Sequence, residues 1–191
     1  GVYAVPAGEW NGETIRGIGE WIMRFRKVPV EKYKSYAPEF TAAKYDPEAW
    51  AKLATRAGMK YVVITSKHHD GFALFKSHVS SYNIVDATPF KRDIIRELCD
   101  ACHRQGLKFG VYYSQAQDWD EPDAPYLNQR SKLRDIHPEL PADFEPNMDR
   151  YLKIKSLPHV EELVKNYALD LVWFDTPVGM THERAERFRD L

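Results

Sequence analysis

An acid ends an apolar run at Leu169-Asp170-Leu171-Val172-Trp173-Phe174-Asp175-Thr176-Pro177, a stretch that reads as a fully buried strand stopped by Pro177. Side chains alternate along a strand, so Leu171, Trp173 and Asp175 share one face and an indole lies directly below a carboxylate. Two other strand-like runs also end in polar groups: Ser66-Lys67-His68-His69-Asp70-Gly71-Phe72 follows the first, and Tyr112-Tyr113-Ser114-Gln115 closes the second. A carboxylate flanked by an indole, imidazoles and phenols, without a phosphate-binding glycine loop, suits a polyol. Asp175 placed against an anomeric carbon would act as a nucleophile and would need a second carboxyl group, about 5 to 5.5 Å away in retaining enzymes, to protonate the leaving oxygen.

Two other chemistries compete at the same residues. A metal-dependent hydrolase could use His68, His69 and Asp175, but adjacent strand residues point to opposite faces, so both imidazoles reach one site only if the backbone turns between them. Serine nucleophile chemistry is weaker, because neither Ser66 nor Ser114 sits in a G-x-S-x-G elbow.

The elements that must position these residues alternate helix and strand. Asp46 fits an N-cap and Pro47 the first helical position of a helix to Ala57, with Trp50, Leu53, Ala54 and Ala57 as its apolar stripe and Gly58 closing it before the strand Tyr61–Ser66. A helix over Lys91–Gln105 ends at Gly106 and leads into Leu107–Ser114; a third, about Leu157–Ala168, leads into the Asp175 strand, and Thr181 caps a fourth. Such alternation predicts parallel strands, right-handed crossovers and carboxyl ends on one rim. From Val2 to Tyr45 the chain reads as a long loop with helical pieces, and over 115–156 periodicity fails among scattered prolines, with a short helix expected over Asn147–Lys155, as in a lid or binding loop that would sit on the aglycone side. With no repeat or linker, residues 1–191 read as one domain.

Bulk properties narrow the partners. Lys and Arg number 27 against 28 Asp and Glu, which predicts neither a nucleic-acid footprint nor attraction to anionic membranes. No run of about twenty apolar residues is present and the start has no signal-like region, so neither a membrane span nor a signal is expected. Cys99-Asp100-Ala101-Cys102-His103 spells a haem-attachment pattern, but its place on the apolar stripe of the second helix reads more simply as two small buried thiols.

The segments Gly1–Pro6, Gly19–Trp21, Ala57–Tyr61, Ser66–Phe72, Gly110–Ser114 and Val172–Asp175 together resemble the α-L-fucosidase family of retaining glycoside hydrolases, family 29, along essentially the whole chain. The resemblance implies a (β/α)8 TIM-barrel-like catalytic domain and hydrolysis of α-L-fucosides from fucosylated oligosaccharides or glycoconjugates, with Asp175 as nucleophile and no metal or organic cofactor. It implies that Glu20, Trp21, His68, His69, Tyr112 and Trp173 line the fucose pocket; Tyr113 competes with Tyr112, since strand phase alone does not choose. Binding by both histidines requires the strand to end at or before His68. The family's first-strand sugar-binding His is missing and its later acid/base Glu and Arg have no counterpart, so the chain reads as a partial barrel whose remaining strands and acid/base come from the parent chain. A periplasmic or secreted location is what the family resemblance suggests. A barrel that binds the sugar without turnover is the non-catalytic alternative.

Overall fold

Tyr61–Lys67 (β1), Lys108–Ser114 (β2) and Leu171–Asp175 (β3) form one parallel sheet in the order β1-β2-β3. The computed structural model describes residues 1–124, 130–175 and 177–191. Helices Pro47–Arg56 (α1), Ile94–Arg104 (α2) and Leu157–Asn166 (α3) precede the three strands in turn, and His182–Arg189 (α4) follows β3. Three of them begin at a side-chain cap. Asp46 Oδ1 accepts from the Ala49 amide at 3.0 Å ahead of α1, Asp93 Oδ1 from Arg96 at 2.9 Å ahead of α2, and Thr181 Oγ1 from Arg184 at 3.2 Å ahead of α4. Gly58 and Gly106, both at positive φ, close α1 and α2.

The core lies between the outer face of the sheet and the helices. Phe109, Val111 and Tyr113 of β2 are buried there with Ile95, Leu98 and Cys102 of α2 and Val160 and Leu163 of α3. Cys99 and Cys102 are free, buried thiols, and burial pushes Cys102 up to about 11, as expected of packing residues rather than attachment points.

Two expectations about burial fail. β3 is not fully buried: its side chains alternate, and Leu171 and Trp173 are 45% and 58% exposed on the inner face of the sheet. The apolar run reported the composition of both faces, but only the outer one meets helices here. On α1, Ala51 and Ala54 are buried while Trp50 and Leu53 face outward, so the packed stripe is narrower and rotated from the one the large residues suggest.

The helical pieces expected over 1–45 and 147–155 are present, together with elements that were not expected. Residues 1–45 carry a short hairpin, Glu9–Trp10 with Glu13–Thr14, and several helical turns, among them Gly19–Trp21, Ile22–Phe25 and Val30–Lys34. Within 115–156 lie helices Arg130–Ile136 and Met148–Tyr151, the latter capped by Asn147, and a π turn over Leu152–Ser156 that runs directly into α3. Pro158 lacks the N–H that would bond the carbonyl four residues earlier, and a wider turn just upstream accommodates it. The extra residue in that turn shifts the phase of the apolar pattern, so that the continuous helix 148–166 reads in the sequence as two, Asn147–Lys155 and about Leu157–Ala168.

Candidate active site

β1 ends at Lys67, and the chain turns at once: the Gly71 amide bonds the His68 carbonyl at 3.1 Å, with Gly71 at φ +78°. That turn resolves the alternation problem. The His68 and His69 rings lie side by side, centroids 3.8 Å apart at 32°. Asp70 braces the turn, its buried carboxylate accepting from the Val2 amide at 2.9 Å, the Tyr33 hydroxyl at 3.3 Å and the Phe72 amide at 3.3 Å.

A bulge makes the strand end asymmetric. Thr65 pairs with Tyr112, but Lys67 pairs with Tyr113, so Ser66 is the extra residue and its hydroxyl bonds the Tyr112 carbonyl at 2.8 Å. Lys67 is thereby brought onto the buried face of Tyr113, its ammonium 4.7 Å from that ring. Register also chooses between the tyrosines. Tyr112 lies opposite Trp173 on the inner face, and its hydroxyl donates to Asp175 Oδ2 at 2.7 Å, whereas Tyr113 is buried and bonds His159 at 3.2 Å.

Around the histidines an aromatic cage closes. The Trp119 indole stacks on His69 at 3.9 Å and 21°, and Trp21 stands edge-on to both His69 and Trp119, each at 5.4 Å. Tyr3 and Tyr112 meet His68 edge-on at 5.7 and 5.5 Å. Burial pushes the His69 imidazole down to about 2 and also lowers His68, so both rings are neutral. Among the described residues, Nδ1 of His68 and both ring nitrogens of His69 are buried without a hydrogen-bond partner. Such groups are costly unless a ligand or water supplies a partner. Glu20 stands beside Trp21 in the turn Gly19–Trp21 and, after burial and Asp70, helps push the Tyr3 hydroxyl up to about 12.

The structure therefore gathers Trp21, His68, His69, Tyr112 and Asp175 through a chain of direct contacts, sets Glu20 electrostatically beside Tyr3 and His68, and places Trp173 across from Tyr112 on the same face. His69 is buried while Trp173 and Asp175 open to solvent, so the site has a closed imidazole end and an open carboxylate end. Among the described residues no group of three or more His, Cys, Asp or Glu side chains is placed to hold a metal. Sequence reasoning missed Trp119 and Tyr3 as parts of the cage. Trp119 follows β2 by a few residues between two acids, Asp118 and Asp120, and that position just past a strand end was the available signal.

Comparison with known proteins gives a consistent picture. The family model described as Alpha-L-fucosidase matches residues 1–189. Tissue alpha-L-fucosidase of Rattus norvegicus is 34% identical over 183 residues, covering 92% of this chain and 36% of that protein. Human plasma alpha-L-fucosidase is 35% identical over 188 residues, covering 94% and 37%. Alpha-L-fucosidase AlfC from Lactobacillus casei, solved in complex with its alpha-L-fucose product, superposes with a TM-score of 0.91 at 37% identity, over 100% of this chain and 61% of that one. The chain thus spans about a third of the length of these curated relatives.

Proposed function

Because the chain belongs to the alpha-L-fucosidase family, whose catalytic domain is a (β/α)8 barrel, we propose that it supplies the sugar-binding cage and the nucleophile for hydrolysis of α-L-fucosides in the intact protein. The observation that carries this reading is the Asp175 carboxylate at the carboxyl tip of β3, bonded by the Tyr112 hydroxyl at 2.7 Å, with Tyr112 itself edge-on to the stacked histidines. In a retaining double displacement, Asp175 attacks the anomeric carbon as the aglycone leaves, giving a covalent fucosyl-enzyme that water then cleaves. The protons for both steps pass through a second carboxyl group outside this chain, a Glu by family resemblance.

The remaining groups divide the sugar between them. Neutral imidazoles can donate and accept, which matches hydroxyls better than a charged ring would, and the buried nitrogens of His68 and His69 are the groups that gain most from such partners. Trp21 and Trp173 offer apolar faces to the sugar's C–H surface, and Glu20 accepts from a hydroxyl. The further barrel strands, from the rest of the protein, would cover Tyr61, Leu171 and the lower part of the inner face. The substrate class is a fucosylated oligosaccharide or glycoconjugate.

The test is Asp175→Ala in the intact protein. Release of an aryl α-L-fucoside should fall to background while the fold persists, and added azide should restore turnover by giving the fucosyl azide of inverted configuration. Undiminished hydrolysis in that variant would sink the assignment.

A further inference from the structure

Trp119 is held by an unusual amount of buried charge. Asp118, fully buried, accepts from Lys67 Nζ at 3.1 Å through Oδ2 and from Lys155 Nζ at 3.1 Å through Oδ1. Lys155 Nζ also bonds Asp120 Oδ2 at 3.0 Å, and Lys34 Nζ bonds Asp120 Oδ1 at 2.9 Å. The residues on either side of Trp119 are therefore both clamped. Lys67 additionally bonds the Gln117 carbonyl and the Tyr151 hydroxyl, each at 3.1 Å, and Ser156 bonds the Gln115 carbonyl at 2.9 Å. The Trp119 amide donates to the His69 carbonyl at 2.6 Å and its carbonyl accepts from His137 at 2.9 Å.

Charge balance shows why the arrangement holds. Lys155 faces two carboxylates and its ammonium is strengthened despite burial; Lys67 shares only Asp118, and burial lowers it to about 8. Asp118 between two ammoniums stays ionised although burial opposes it. Ion pairs this deep gain little net stability over apolar packing of the same shape, so a geometric role is the better account of them.

The π turn is what delivers this clamp. Lys155 and Ser156 are consecutive, both buried and both directed at 115–120, and the wider turn brings neighbouring side chains closer together around the helix axis than an α-helix does. On the other side, the bulge at Ser66 puts Lys67 beneath the same loop, one residue before His68. We propose that Lys67 and Lys155 are positioning residues: through Asp118 they fix the Trp119 indole against His69 and so hold the His68–His69 pair for the sugar's hydroxyls. This rests on the fucoside reading above.

The experiment uses the intact protein, with Lys155→Met, which leaves Asp118 paired with Lys67 and Asp120 with Lys34, and the double variant Lys67→Met/Asp118→Asn, which removes one buried ion pair whole and leaves Lys155 on Asp120. Two readouts are taken: KM and kcat on an aryl α-L-fucoside, and the NMR shifts of the His69 ring protons, which the stacked indole moves upfield. Both variants should lose the upfield shift and raise KM about tenfold or more with a smaller change in kcat. Trp119→Leu, with the ion network intact, should raise KM alike, and Lys165→Met, an exposed lysine paired with Glu161, should change nothing. A folded double variant that keeps either the wild-type ring shift or the wild-type KM overturns the proposal. If the unaltered protein turns over no fucoside, the functional reading fails and the ring shifts alone decide the clamp.

Discussion

Gly71→Ala isolates the turn on which the histidine pair depends. Gly71 sits at φ +78°, where a Cβ crowds the following carbonyl at a cost of about 1–2 kcal/mol. A Cβ built there would also lie 2.6 Å from Asp120 Cβ and closer still to Asp118 Oδ1, a carboxylate oxygen held by Lys155. Neither neighbour yields freely. Moving Asp118 opens a buried ion pair, and losing a buried pair costs about 3–5 kcal/mol, so the total is about 4–7 kcal/mol against a typical stability of roughly 5–15 kcal/mol. Gly58→Ala is the matched control, because Gly58 has φ +76° and nothing within 4 Å of its would-be Cβ; only the backbone cost of about 1–2 kcal/mol remains. Urea unfolding of both variants in the intact protein, followed by tryptophan fluorescence, gives the comparison. Equal shifts in midpoint would refute the packing of Gly71 against the Asp118 clamp.

Acid should destabilise the protein through its buried imidazoles. Burial holds the folded-state pKa of His69 at about 2, against 6.5 unfolded, and that of His159 well below 6.5 as well. The unfolded chain therefore takes up these protons first; stability is complete above pH 6.5 and falls below it by about 1.4 kcal/mol per pH unit for each such ring, and a flat urea midpoint between pH 6.5 and 5 would contradict this. Asp93→Ala should cost about 2–3 kcal/mol in the same assay, since Asp93 caps α2 through the Arg96 amide and also accepts from the Lys76 amide at 2.9 Å and the Tyr167 hydroxyl at 2.5 Å. Asp93→Asn, which preserves an acceptor for the cap, should recover about 1 kcal/mol of it.

What local sequence could show was anything governed by nearest neighbours. The three strand runs, the caps at Asp46 and Thr181 and the closing glycines Gly58 and Gly106 lie where apolar runs and turn chemistry put them. The end of β1 at Lys67 was legible in a more indirect way: two adjacent histidines serve one site only if alternation stops before them. Hidden features depend on partners far along the chain. Nothing near Trp119 says that Lys67, some fifty residues earlier, and Lys155 after it will meet at Asp118. The π turn was invisible for the opposite reason, since it breaks the very period by which helices are read. Exposure of Leu171 and Trp173 was missed because an apolar run states that two faces can be buried, without stating that both are.

The bulge at Ser66 ties these parts together. Before it, Thr65 lies in one row with Tyr112 and Trp173 on the inner face; after it, Lys67 has crossed to the row of Tyr113 on the packed face. A strand in strict alternation would keep Lys67 on the inner face, a charged side chain beside Tyr112 and Asp175, and would leave Asp118 with Lys155 alone. With the extra residue, the strand contributes to the core clamp with Lys67 and still presents His68 and His69 to the rim immediately afterwards. The imidazole pair at the rim and the ion pair beneath it thus come from consecutive residues, and the irregularity in the ladder is what permits both.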